Sequence, residues 1–148
     1  MIINGAALLS AEPIPYMLDA KHSAHGVSYG LTEAGYDICI KQAVTLHAFS
    51  RFRLASTVER FAMPYNLVGI VHDKSTWARR GLSVFNTVIE PGWCGHLTLE
   101  LVYNRLMPMH IPAGAGIAQV IFHQTATPAA YAGKYQNQRD MPVGAIAA

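Results

Sequence analysis

The chain has 148 residues, enough for one domain with its own core and too few for two of ordinary size. It is 51% apolar and 14% charged, with a formal net charge of +2, so its charge gives no support to a nucleic-acid surface. So low a charge content predicts that part of the surface is buried between subunits, and no apolar run approaches the roughly 18 residues of a membrane span.

In chain order, "MIINGAALLSAEPIP" has no basic start before its short apolar run, so no signal peptide is expected. Within it, "NGAALLSA" reads as a short helix. Turn formers then recur at short intervals, among them Pro13, Pro15, Gly26, Gly30, Gly35, Pro64, Gly81, Pro91-Gly92, Pro108, Pro112, Gly114 and Gly116. Between them lie apolar or alternating runs: Tyr36 to Leu46, Asn66 to His72, Leu82 to Glu90, His96 to Asn104 and Ile117 to Gln124. Many short strands broken by turns predict an all-β sandwich or barrel. "STWARRGL" reads as a turn or two of helix, capped by Ser75 and stopped by Gly81. The small, polar segment from about 125 to 148 reads as a tail, ordered only where it packs on something. The whole chain, 1–148, is expected to form one domain.

Cys39 and Cys94 are far apart and form no CxxC pair, so they read as reduced structural residues of a cytoplasmic protein. The seven histidines include no HExxH, and no His-x-Glu is followed by Pro-Cys-x-x-Cys, so no zinc is expected. A GxSxG nucleophile elbow is also missing.

Two stretches carry candidate chemistry. In "HLTLELVYN", Leu97, Leu99 and Leu101 share one face by period-two alternation, and Thr98, Glu100 and Val102 share the other. Glu100 therefore faces either solvent, as most acidic residues do, or a pocket where desolvation would suit it to proton transfer. Just before it, Pro91 and Gly92 build a tight turn with Glu90 at its mouth. In "HDKSTWARRG", Lys74, Arg79 and Arg80 bring cations and Ser75 and Thr76 bring hydroxyls, a set that suits phosphate or a capped, solvated helix start. It is not a P-loop, because GxxxxGKS/T does not occur.

Taken together, these stretches resemble the dCTP deaminase and dUTPase superfamily, most closely its dCTP deaminases. "EAGYDICI" (Glu33 to Ile40) is similar to the first dUTPase motif, and "DKSTWARRGL" to the Arg-Ser-Ser-Leu-Ala-Arg-x-Gly-Leu of the deaminases. "VIEPGWCGHLTLELVYN" resembles their Ile-Asp-Pro-Gly-Trp/Phe segment with its Thr-Leu-Glu strand. "PAGAGIAQVIF" is similar to the shared Pro-Gly-x-x-Ile-x-Gln motif, and "GKYQNQ" to the Lys-Tyr-x-x-Gln of the deaminase tail. The matches run in order from Glu33 to Gln138.

The resemblance implies a distorted β-barrel or jelly roll of the dUTPase-like type, with one or two short helices, assembled as a homotrimer. It implies hydrolytic deamination of dCTP to dUTP and ammonia. Glu100 would be the general base for a water that no metal activates, with Ser75 and Arg79 as catalytic-site partners. Lys74, Thr76, Glu90, Gln119, Lys134, Tyr135 and Gln138 would bind the nucleotide. Mg2+ would arrive on the triphosphate, near Asp37 through water. The resemblance leaves open a dUTP diphosphatase, a bifunctional enzyme making dUMP, or a nucleotide-binding regulatory module without turnover. Three features depart from the deaminase pattern. Glu90 stands where aspartate is usual, the segment from Arg79 to Glu90 is about two residues short, and "ELVYN" holds one residue more than usual between its glutamate and its asparagine. The glycine-rich C-terminal motif of trimeric dUTPases is also missing.

Overall fold

The computed structural model describes residues 1–147 and is mostly β-structure. In chain order its elements are β1 (Ile2–Ile3), α1 (Gly5–Ala11), β2 (Lys21–Ala24), β3 (Val27–Leu31), β4 (Tyr36–Cys39), β5 (Val44–Leu46) and β6 (Phe52–Ala62). There follow β7 (Leu67–Asp73), α2 (Ser75–Ala78), β8 (Leu82–Val84), β9 (Val88–Ile89), β10 (Cys94–Tyr103), β11 (Met109–Ile111) and β12 (Gly116–Gln124).

The largest sheet runs β2-β3-β4-β12-β7-β9, with β1 added to the far end of β12. Strand β12 is its spine. It pairs with β7 along its length on one side, and with β4 and then β1 on the other. From Ala118 onward β12 alternates cleanly, with Ala118, Val120 and Phe122 buried and Gln119, Ile121 and His123 only partly so. A second sheet, β6-β10-β8, and the pair β11-β5 complete the fold. The strands form separate sheets around a shared core and do not close into a barrel, which corrects the barrel half of the sequence expectation. Leu8, Ile38, Ile40, Phe61, Leu99, Leu101, Ile117 and Phe122 are among the side chains that fill that core.

Two further expectations need correction. Tyr36 to Leu46 is not one strand: it breaks after Cys39, and Val44 resumes in a different sheet. Strand β6, the longest of the fold, was not anticipated. Its burial does not alternate, because the β6/β10 register shifts between His96 and Thr98.

The turn ahead of β10 forms as expected. Trp93 N–H donates to the Glu90 carbonyl at 3.1 Å, and Gly92 takes φ +73°, the pattern of a type II turn. The C-terminal segment is ordered against β10. His96 N–H donates to the Gln138 carbonyl at 3.2 Å, and Asn137 N–H to the Cys94 carbonyl at 2.9 Å. Gly95 has φ +139°, and a Cβ there would lie 2.6 Å from the Gln138 nitrogen, so only glycine lets the segment approach this closely.

Candidate active site

Strand β10 carries Glu100 on the face that the alternation predicts. Leu97, Leu99 and Leu101 are buried in the core, while Glu100 is half-buried on the opposite face. That face borders a cavity of about 400 Å³. Its walls are apolar for the most part, Leu54, Trp93, Tyr131 and Val143 among them, and Leu97, where the β6/β10 register shifts, lines it as well. Polar groups are few and named: Glu100, Thr87, Thr98, Glu90 and Gln138, with Tyr135 alongside. A concave, mostly apolar pocket with a few convergent polar groups is the usual form of a small-ligand site.

The C-terminal segment forms one wall of this cavity. Trp93 Nε1 donates to the Tyr135 carbonyl at 2.6 Å, and Cys94 N–H to Gln136 Oε1 at 2.7 Å. Thr98 Oγ1 donates to Gln138 Oε1 at 3.1 Å and accepts Val143 N–H at 3.0 Å. Lys41 pairs with Asp140, and His96 Nδ1 lies 3.3 Å from the same carboxylate. The bond from Lys41 holds the Asp140 carboxyl below its ordinary range.

A second cleft gathers Lys21, Ser28, Thr32, Glu33, Lys74 and Ser75 around Asp37, Asp73 and Gln119. Asp37 and Gln119 face each other directly across the β4/β12 pair. Asp37 is 3% exposed and is paired by the Lys74 ammonium, which also donates to Ser28 Oγ at 2.9 Å. Gln119 Nε2 donates to Thr32 Oγ1 at 3.0 Å. Ser75 is the first residue of α2 and not its cap. Lys74 occupies the cap position, with no side-chain capping bond. Trp77 Nε1 anchors this single turn on the Gly116 carbonyl at 2.7 Å.

The candidate residues thus fall into two groups. Glu100, Glu90, Tyr135 and Gln138 line the first cavity, and Lys74, Ser75, Asp37 and Gln119 line the second. Thr76, Arg79 and Lys134 line neither. Arg79 is exposed at the C-terminal end of α2, and Lys134 lies over the Tyr135 ring at 5.5 Å with its ammonium on the Ile146 carbonyl. Within one chain the structure does not bring Glu100 together with Ser75 and Arg79. Sequence reasoning did not assign Thr87, Thr98 or Trp93 to the site. Thr98 was accessible to it, because it shares the Glu100 face by alternation.

Away from both cavities, Glu59 turns its carboxylate inward. Both its oxygens accept Cys39 N–H at 3.0 Å, although the residue as a whole is half-buried. Burial pushes its carboxyl up to about 7, and burial together with Glu59 pushes the Cys39 thiol up to about 12. Both cysteines are free. Among the described residues, no three His, Cys, Asp or Glu side chains converge on a metal position, and no helix is long and apolar enough to cross a membrane.

The chain is 47% identical over 92 residues to a dCTP deaminase of Roseiflexus castenholzii, covering 59% of this chain and 50% of the relative. It is 42% identical over 115 residues to a dCTP deaminase of Campylobacter fetus subsp. fetus, covering 74% and 59% respectively. A dCTP deaminase of Azotobacter vinelandii is 34% identical over 145 residues, covering 76% of this chain and 77% of that one. The chain therefore spans about half to three-fifths of the length of the first two relatives. Among solved structures, the native dUTPase of EIAV superposes with a TM-score of 0.57 at 22% identity, over 69% of this chain and 84% of that one. A mutant dUTPase from phage phi11 of S. aureus gives 0.58 at 18%, over 77% and 88%. Likeness at that identity speaks to the fold, which is dUTPase-like. The family model described as "dCTP deaminase-like" matches residues 39–125, from the end of β4 past the end of β12, and the chain belongs to that family.

Proposed function

We propose that the protein is a dCTP deaminase, hydrolysing dCTP to dUTP and ammonia. The observation that carries this reading is Glu100: a carboxylate on the wall of a cavity that is otherwise mostly apolar and of a size to take a pyrimidine nucleoside. There it accepts a proton from the water that attacks C4 of cytosine. The tetrahedral adduct then loses N4 as ammonia, with the carboxyl returning the proton to the leaving nitrogen. The apolar walls exclude bulk water, and Gln138 and Glu90 offer polar contacts to the base and sugar.

The second cleft suits the triphosphate. Lys74, Ser75, Gln119 and Asp37 line it, and its carboxylates (Glu33, Asp37, Asp73) outnumber its ammonium groups (Lys21, Lys74). A polyanion entering such a cleft needs a cation with it. The donors fit Mg2+ held through water and not in a protein cage, since Asp37 already serves Lys74 and no three-ligand cluster exists among the described residues. Bound with the triphosphate, Mg2+ would neutralise part of its charge; a structural Mg(II) ion is described for the phage phi11 dUTPase.

Because the two groups of residues line different cavities on one chain, a complete site takes Glu100 from one copy and Ser75 and Arg79 from another, in a homotrimer. Exposed Phe52 and Val88 at the cavity edge, and Phe85 beside them, offer apolar surface for a neighbouring copy to cover. The free cysteines suit the cytoplasm.

The test is incubation of purified protein with dCTP or dUTP and Mg2+, followed by product chromatography. Conversion of dCTP to dUTP is expected. If dCTP yields neither dUTP nor dUMP, the deaminase reading fails. Pyrophosphate release from dUTP alone would make the protein a dUTP diphosphatase, and binding without product a regulatory module. Light scattering at micromolar concentration should give the mass of a trimer, and a monomer mass would defeat the shared site.

A further inference from the structure

We propose that Thr87 is a positioning residue for Glu100, fixing one carboxylate oxygen so that the other is presented to the cavity. This rests on the reading of Glu100 as the general base. Thr87 Oγ1 donates to Glu100 Oε2 at 3.1 Å. A hydroxyl has one proton to give, and the alternative acceptor, the Phe85 carbonyl, lies farther away at 3.4 Å and is uncharged. Among the described residues no other group donates to the Glu100 side chain, so Oε1 stays free to meet a water.

The loop that carries Thr87 is itself held in place. Val71 N–H donates to the Thr87 carbonyl at 3.0 Å, and Thr87 N–H donates to the Phe85 carbonyl at 2.8 Å. Phe85 N–H in turn donates to the Glu100 carbonyl at 3.1 Å. Residues 85–87 therefore grip Glu100 twice, once at its backbone and once at its carboxylate. Residues 85–87 are the connection between β8 and β9. A base whose rotamer is fixed before substrate binds avoids reorganisation during the reaction.

The experiment compares wild type, Thr87→Val and Thr87→Ser. Valine keeps the shape and removes the donor, and serine restores it. In dCTP deamination, Thr87→Val should lower kcat about 10- to 100-fold, the range of a lost hydrogen bond to a charged group, with KM changed less than about threefold. Thr87→Ser should recover to within about fivefold of wild type. A merely structural residue would lower the folded fraction and leave kcat per folded site intact. That result, or a serine variant no better than valine, overturns the proposal.

Crystal structures of the three proteins give a readout that needs no activity. The Glu100 carboxylate should keep its place in wild type and Thr87→Ser and shift or split into two conformers in Thr87→Val. An unmoved carboxylate in Thr87→Val overturns the positioning role even in an active enzyme. A shifted carboxylate in a protein whose wild type is inert on dCTP supports the contact while striking the deaminase reading.

Discussion

The Thr98 hydroxyl donates to Gln138 Oε1 at 3.1 Å, joining the strand that carries Glu100 to the C-terminal segment that walls the same cavity. Thr98 Oγ1 itself accepts Val143 N–H at 3.0 Å. Thr98→Val keeps the shape of this buried side chain and removes both bonds. Hydrogen exchange in residues 133–146 should speed up by about tenfold, with a loss of global stability of about 1 kcal/mol. Exchange mass spectrometry checks the first and urea unfolding the second.

Glu100→Gln keeps the size of the side chain and removes its basicity. Deamination of dCTP should fall by about 10²- to 10⁴-fold, with nucleotide affinity nearly unchanged. A variant retaining the full rate would show that Glu100 does not take the proton from water.

The Asp37–Lys74 pair is nearly dry, with side chains 4% and 10% exposed. Lys74→Met leaves the Asp37 carboxylate buried without its cation and should cost about 3 kcal/mol. Adding Asp37→Asn should recover a substantial part of that loss, because the stranded charge is then gone. Thermal melts of the two single variants and the double variant form the cycle that measures it.

Glu59 should give stability a pH dependence opposite to that of an ordinary paired carboxylate. The folded protein keeps its proton up to about pH 7, while the unfolded chain releases it near the ordinary 4.5. Below about pH 4.5 both states are protonated and there is no penalty. As the pH climbs from there to about 7 the unfolded state is favoured, so stability falls through that window. Glu59→Gln can still accept Cys39 N–H and should flatten the slope, gaining on the order of 1–2 kcal/mol at pH 8 relative to wild type. Denaturant melts from pH 4 to 8 give the comparison.

Periodicity and turn chemistry made the centre of the molecule legible in advance. The leucine face of β10 and the Pro91-Gly92 turn follow from spacing alone, because both are local properties. Strand β6 escaped because its bulged pairing opposite His96–Thr98 erases the alternation that would have announced it. Alternation also assigns a residue to a face without saying which cavity that face borders. The resemblance groups Glu100 with Ser75 and Arg79 in one site between subunits, and on one chain the elements of Glu100 and Ser75 open onto different hollows. The C-terminal segment lacks an apolar pattern. Its order comes largely from polar bonds, through Gln136 and Gln138, to a strand about forty residues earlier, and no local reading reveals such bonds.

The seat of that segment has a consequence for solubility. Strand β10 pairs with β6 along its length on one side, while on the other β8 reaches only Leu101, Val102 and Tyr103. The stretch from Cys94 to His96 would present open amide and carbonyl groups there, and the C-terminal segment fills it through the parallel bridge of Gly95 to Gln138. It thus serves as a guard strand against edge-to-edge association. Cutting the chain before Gly133 should do more than open a cavity wall: it would leave an unpaired β-edge beside newly exposed Trp93, where one molecule could begin to template another.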